Sequence, residues 1–460
     1  MKIVPVILAG GIGSRLWPFS KPDNPKPFTK LPKLQKSLFA STVERLGLLP
    51  DVSNYVVVAN RKYRYLLSNE MRKSGLKGEC ILEPCAKNTL AAVLIAAIFV
   101  QKKYGNDCQI LIFPSDHVIT NNQGLVSAVL ASQQYVKEGK IVTFGIVPDR
   151  VETGYGYIRC NGSKVLSFIE KPNFKLASDL IKEGISLWNS GIFSFKPSVL
   201  LQEARRFCDK TFSTLEDIDF VFDEGAFVID KSRYDELDDI SVDYAIIEKT
   251  NKLSVVKSEL GWSDVGSWSG FESVFMNKDK DGNSTEGPVI PLDCKQTLVI
   301  ARDRPVVTIG VKDLVVVSND EATLVVNRDQ LQSVKELSEF ELIRSNIFAK
   351  VQRPWGNYQV IDHGDGFKVK RIEVLPGGRL SLQLHHHRDE HWTVVQGKAT
   401  VIRGEEKKRL GKNEAIFIPR EVQHRLCNES DSPCIIIEVQ MGDYLGEDDI
   451  VRLQDSYNRN

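Results

Sequence analysis

Glycines at positions 10, 11 and 13 follow an apolar run that ends at Leu8 and precede Arg15. A strand that ends in glycines lets backbone N–H groups approach an anion closely, because no Cβ stands in the way. The spacing predicts a phosphate-binding loop. Arg15 adds a planar cationic fork suited to a triphosphate, and Lys26, between Pro25 and Pro27, adds a second cation. Two common alternatives fail on single residues. A dinucleotide loop needs a third glycine where Leu16 stands, and the chain holds no G-x-x-x-x-G-K-[ST] run.

Acids and amides further along could complete such a site. The apolar run Gln109 to Phe113 is followed by Pro114-Ser-Asp-His117, which places Asp116 as a magnesium ligand at the carboxyl end of a strand. Asp264 lies in the aromatic, glycine-rich Gly261-Trp-Ser-Asp-Val-Gly-Ser-Trp268, and the two acids could clamp one magnesium ion. Gly154 and Gly156 interleave with Tyr155 and Tyr157, a turn suited to a sugar. Lys171, before Pro172, lies on an extended segment that can direct its charge into a cleft. Asn189 supplies an amide.

A second group of chemical residues closes the chain. Five of the seven histidines occupy positions 385–387, 391 and 424. Gln383 and His385 alternate on a strand and share a face, and a turn can return Glu390 to them. His424 follows on a neighbouring strand. Two histidines, a carboxylate and an amide oxygen leave a coordination position open on zinc or a related ion, as catalytic rather than structural sites do.

The elements that must position these groups follow from the apolar patterning. Tyr55 to Ala59 and Gln109 to Phe113 are continuous apolar runs, as in strands covered on both faces. The run Thr89 to Val100, capped by Asn88, reads as a buried helix too short to span a bilayer. Strands alternating with helices predict a parallel, doubly wound sheet. From about Asp279 short β-runs with turns predict a small β-solenoid or sheet without a polar cluster, and Leu331 to Ser345 a connecting helix. At 460 residues the chain can hold two or three domains, and 60 basic against 60 acidic residues leave no electrostatic footprint for nucleic acid or an anionic membrane. Eight cysteines without a C-x-x-C pair predict reduced thiols in a cytoplasmic protein. The start has no cleavage site and reads as a strand rather than a signal peptide.

The motifs LAGGIGSRLWP, Pro25-Lys26, PSDH, ETGYGYI, FIEKP, NSGIF, SVDYAIIEK and GWSDVGSW, in this order over residues 3 to 268, resemble those of the sugar-1-phosphate nucleotidylyltransferases, most closely the mannose-1-phosphate guanylyltransferases. The resemblance implies that GTP and mannose 1-phosphate give GDP-mannose and pyrophosphate. It implies that Leu8, Gly10, Gly11, Gly13, Arg15 and Lys26 hold the nucleotide, and that Asp116 and Asp264 hold Mg2+. Lys171 would take the sugar phosphate, and Gly154, Glu170 and Asn189 the sugar. Ile12 and Pro27 depart from the family pattern, where a small polar residue and a glutamine are usual.

Gly377, Gln383, His385, Glu390 and Gly397, then Pro419 to His424 and Asn428, resemble the two cupin metal motifs. Gln383 replaces a histidine and Glu421 a glycine. The Q-x-H-x-x-x-x-E-H-W form resembles the isomerase domain of the bifunctional mannose-6-phosphate isomerase/guanylyltransferases. This implies Zn2+ or Co2+ and interconversion of fructose 6-phosphate and mannose 6-phosphate, with Arg388 a candidate for the phosphate or enediolate charge. The expected architecture is a Rossmann-like α/β nucleotidyltransferase domain over 1–278, a β-rich linking region over 279–345 and an all-β cupin barrel over 346–460. A homodimer is compatible with the sequence. Two alternatives stay open: a guanylyltransferase whose cupin only binds metal or sugar, and a sugar-nucleotide sensor.

Overall fold

The structure, a computed structural model, describes every residue except 53, 74, 76, 341–347, 349, 456 and 458–460. It divides into two compact units, Met1–Asn319 with Thr323–Lys335, and Asp320–Ala322 with Glu336–Asn460.

The first unit is built on an eleven-stranded sheet. Lys2–Leu8 pairs in parallel with Asn54–Asn60 on one side and Cys108–Pro114 on the other, with Leu8 level with Pro114. Their central residues are mostly apolar and buried, as in strands covered on both faces. Asn88–Tyr104 buries eleven consecutive residues, Leu90 to Val100. Asn88 is its first residue, at φ 58°, and not the preceding cap.

The sheet departs from the all-parallel expectation. Ser186–Phe195 inserts antiparallel between Cys108–Pro114 and Ile141–Ile146. It brings Asn189 into the sheet as a strand residue, whereas its polar, glycine-containing sequence suggests a turn. The β-rich stretch after Asp279 stacks Ser284–Glu286, Leu298–Ala301 and Leu314–Ser318 in parallel, as a solenoid does. It groups with the first unit. Arg328 fixes it there by a bidentate pair with Glu272, at 2.7 and 2.9 Å. The helix expected over 331–345 is a 3-10 helix over Arg328–Glu339, and positions 341–345 lie outside the described residues.

The second unit is a barrel of two sheets, with six and five strands. Trp355, Trp392, Val401, Leu426 and Ile436 are among the side chains of its core. Gly397 turns at φ 78°, where a Cβ would stand 2.6 Å from the Pro433 carbonyl oxygen, so only glycine fits.

Candidate functional site

In the first unit the glycine loop wraps a lysine. Gly13 has φ 68°, and a Cβ there would stand 2.4 Å from the Cβ of Lys26. The Lys26 amide donates to the Ile12 carbonyl at 2.9 Å. The loop is anchored from below, where the Trp268 indole donates to the Trp17 carbonyl at 3.0 Å. A Cβ at Gly10 or Gly11 would meet no described atom closer than 3.9 Å, so their face is open to a ligand. The Leu8 carbonyl accepts from the Ser115 amide and hydroxyl, which locks the loop to the Asp116 turn.

A short antiparallel pair brings the two acids together. Trp262–Ser263 pairs with Val118–Ile119, so Asp264 follows one strand and Asp116 precedes the other. Lys26 joins them. This residue is only 3 % exposed, and its ammonium donates to Asp116 Oδ2 at 2.9 Å and to the Asp264 main-chain oxygen. Burial alone would raise the Asp116 carboxyl, but Lys26, then His117, more than offset it and hold the group below its ordinary value. The Asp264 carboxylate accepts from Tyr155 at 2.6 Å and from the Gly266 amide at 3.1 Å. Asp116 and the Asp264 carbonyl oxygen both turn to the Lys26 ammonium, and with the Asp264 carboxylate close by they are the kind of oxygen donors that a hard divalent cation takes.

Asp264 opens onto a cleft of about 740 Å³, lined by Arg15, Gly154 and Lys171 among others. Arg15 is exposed and makes no ion pair among the described residues. Lys171 and Val265 both have φ 45°, a strained conformation for side-chain-bearing residues and one that clusters at ligand clamps. Lys171 Nζ lies 3.1 Å from Glu170 Oε1. Asn189 is buried, accepts from Thr143 at 2.9 Å, and donates to Asp243 at 3.0 Å.

Three parts of this site escaped sequence reasoning. Arg328 and Gln332, from a region that seemed to lack a polar cluster, line the cleft. Glu83, buried behind Gly10, accepts from Tyr234 and is pushed up to about 7 by desolvation. Asp243, which the sequence suggests only as part of a capped helix start, sits on a π-turn over Asp243–Ile247. Such turns are frequent at functional sites, but sequence alone does not separate them from helix.

Burial, then the Glu170 charge, pushes the Asp243 carboxyl up to about 7 from 3.8. Between those values the folded chain holds a proton that the unfolded chain has lost, so stability falls as pH rises through that window. Asp243→Asn removes this fall. Its melting temperature is expected to exceed that of the wild type by a few degrees at pH 8 and to match it near pH 4. Equal differences at both pH values would contradict this assignment.

In the barrel, Gln383 stands opposite His424 in an antiparallel pair. His385, Glu390 and His424 are each 1 % exposed, and their ligand atoms lie within 4.8 Å of one another. His385 Nε2 is 3.1 Å and His424 Nε2 3.6 Å from the Glu390 carboxylate. His424 Nδ1 contacts the Val422 carbonyl at 2.9 Å, an arrangement that puts the proton on Nδ1 and leaves Nε2 with a lone pair. That Nε2 is buried with no hydrogen-bond partner among the described residues. A buried, unpartnered imidazole nitrogen facing a carboxylate and a second imidazole fits a divalent metal.

The surroundings hold Glu390 in place. Arg388 donates to it at 3.0 Å, Trp392 at 3.0 Å and Gln440 at 3.2 Å. Although burial would raise this carboxyl, His385, His424 and Arg388 hold it far below the usual range. Arg388 also donates to the Gly446 carbonyl at 2.9 Å, so much of its fork is already committed. Gln383 accepts from Ser381 at 2.8 Å and lines the same cavity as Glu390. Of the His385-His-His387 run only His385 turns inward. His386 pairs with Glu421 on the surface, and His391 packs beside Phe417. Glu438 and Gln440 also went unread. Their core-facing positions in the alternating strand Cys434–Gly442 were the available signal.

Three family profiles match in chain order: nucleotidyl transferase over residues 4–281, the MannoseP isomerase/GMP-like beta-helix domain over 287–339, and mannose-6-phosphate isomerase C-terminal over 343–455. The xanthan biosynthesis protein XanB of Xanthomonas campestris pv. campestris is 41% identical over 99% of both chains. The alginate biosynthesis protein AlgA of Pseudomonas aeruginosa is 39% identical, covering 99% of this chain and 97% of its own. A mannose-1-phosphate guanylyltransferase of Escherichia coli is also 39% identical, over 100% and 99%. Among solved structures, a Thermus thermophilus protein described as a mannose-1-phosphate geranyltransferase superposes with a TM-score of 0.65 at 30% identity, covering 74% of this chain and 99% of its own. With full-length relatives of this kind and all three segments in order, the chain belongs to the mannose-1-phosphate guanylyltransferases that carry a mannose-6-phosphate isomerase C-terminal domain.

Proposed function

We propose that the first unit transfers a guanylyl group from GTP to mannose 1-phosphate, and that the barrel interconverts fructose 6-phosphate and mannose 6-phosphate. The observation that carries the first half is Lys26, buried between Asp116 and Asp264, the second of which lines a cleft together with Arg15 and Lys171. A phosphate oxygen of the sugar phosphate forms a bond to the α-phosphorus of GTP, and the bond from that phosphorus to the leaving pyrophosphate breaks. No protein nucleophile is needed, so the residues position and neutralise. The Leu8–Gly13 backbone, Arg15 and Lys26 would hold the triphosphate. Lys171 would hold the attacking phosphate, and Gly154, Glu170 and Asn189 the mannose ring. Asp116 and Asp264 would hold Mg2+, which supplies charge neutralisation at the phosphates.

In the barrel, Gln383, His385, Glu390 and His424 would hold Zn2+ or Co2+, which polarises the substrate oxygens when bound. In the direction of mannose 6-phosphate a proton leaves C1 and returns at C2 while the hydroxyl proton passes from O1 to O2, and the reverse reaction runs both transfers back. Arg388 orients Glu390 and faces the cavity that would receive the substrate. The mannose 6-phosphate formed must still pass through a separate phosphate-shifting enzyme before the first unit can use it.

A panel of four nucleoside triphosphates against mannose and glucose 1-phosphates tests the substrate choice by pyrophosphate release. GTP with mannose 1-phosphate is expected to exceed every other pair by at least tenfold. A different preferred base or sugar would overturn that choice.

A further inference from the structure

Arg45, on the helix Leu38–Leu46, is only 7 % exposed and makes no ion pair among the described residues. Its hydrogen bond to the Thr42 hydroxyl is a long 3.5 Å contact, and its Nε is buried without a partner among those residues. Burial pushes the guanidinium down to about 10, and no neighbouring acid offsets this. A buried guanidinium without a counter-ion is costly, and natural interiors pair such groups. The fold therefore presents an unmet demand for an anion.

The space beside Arg45 suits one. It lines a cleft of about 690 Å³ that shares no lining residue with the nucleotide cleft. Leu38, Leu48, Ile119 and Phe275 provide apolar walls. Asn122, the first residue of the sixteen-residue helix Asn122–Lys137, adds the positive end of a helix dipole. Glu44 is the one acid on the described lining, and it is paired with Lys36.

We propose that this cleft is a second ligand site, for a phosphomonoester with an aromatic or apolar body, whose phosphate pairs with Arg45. The guanidinium fork and the helix N-terminus together match a phosphate dianion, and the walls match the organic part. Bare phosphate lacks the second set of contacts and binds more weakly.

Calorimetry with the full chain tests this, using phenyl phosphate as probe and inorganic phosphate as control. GTP and mannose 6-phosphate are kept saturating to fill the two sites described above. Phenyl phosphate is expected to bind one site, at least tenfold more tightly than inorganic phosphate. Arg45→Met should weaken it at least tenfold and still fold, because it removes an unpaired charge. Leu48→Glu, at a wall position 54 % exposed, should weaken it as well, by repulsion. Lys171→Gln should leave it unchanged. Absence of saturable binding, or equal binding by wild type, Arg45→Met and Leu48→Glu, would overturn the proposal. So would sedimentation showing an oligomer lost in Arg45→Met, since a second copy of the chain would then supply the counter-ion.

Discussion

Asp116→Asn is expected to lower the turnover of guanylyl transfer by about 10³-fold, equivalent to roughly 4 kcal/mol of transition-state stabilisation. The substitution keeps the shape of the side chain and removes its charge. Lys26 then loses its one ion-pair partner among the described residues and keeps only neutral acceptors, the Asp264 carbonyl and the new amide oxygen. The site loses the carboxylate that Lys26 holds ionised and gains a buried ammonium without a counter-charge. Initial-rate measurements over a magnesium series check this, with circular dichroism to confirm folding. A loss below tenfold, or a loss that is the same at every magnesium concentration, would mean that Asp116 is a structural partner of Lys26.

His424→Ala is expected to abolish isomerisation and to weaken metal binding by more than 100-fold. Loss of an outer-shell group costs about 10–100-fold, so loss of a direct ligand should exceed it. Guanylyl transfer should be unchanged, since its residues lie in the other compact unit. Glu390→Gln should behave differently. Buried Arg388 would lose its nearer charged partner, with only Asp449 left at 3.9 Å, at a cost of about 3–5 kcal/mol, so the barrel should melt earlier as well as lose activity. Metal analysis after dialysis, isomerase assays and thermal melts on both variants check these outcomes. An active His424→Ala variant would remove this residue from the metal site.

Much of the molecule was legible in its sequence because its chemistry is packed into short motifs. The glycine loop and the Asp116 turn each announce themselves through residue types that packing alone would not select. The cupin motif is legible for the same reason, with strand alternation separating inward His385 from outward His386. What stayed hidden depends on contacts between distant segments. Asp243 gains its meaning from Glu170 and from Asn189, the latter carried by the inserted antiparallel strand. Arg45 looks like an ordinary helix cation until its burial and lack of a partner among the described residues are seen. Arg328 reads as a loop arginine until the solenoid folds it against Glu272.

One chain carries two chemistries on the mannose skeleton. Phosphorus NMR of a single preparation given GTP, mannose 1-phosphate, fructose 6-phosphate, magnesium and zinc tests this most directly. Resonances of GDP-mannose, pyrophosphate and mannose 6-phosphate are predicted to grow together. A metal-loaded chain that forms GDP-mannose without mannose 6-phosphate would contradict the isomerase half, and one that releases no pyrophosphate would contradict the guanylyl transfer on which the rest depends.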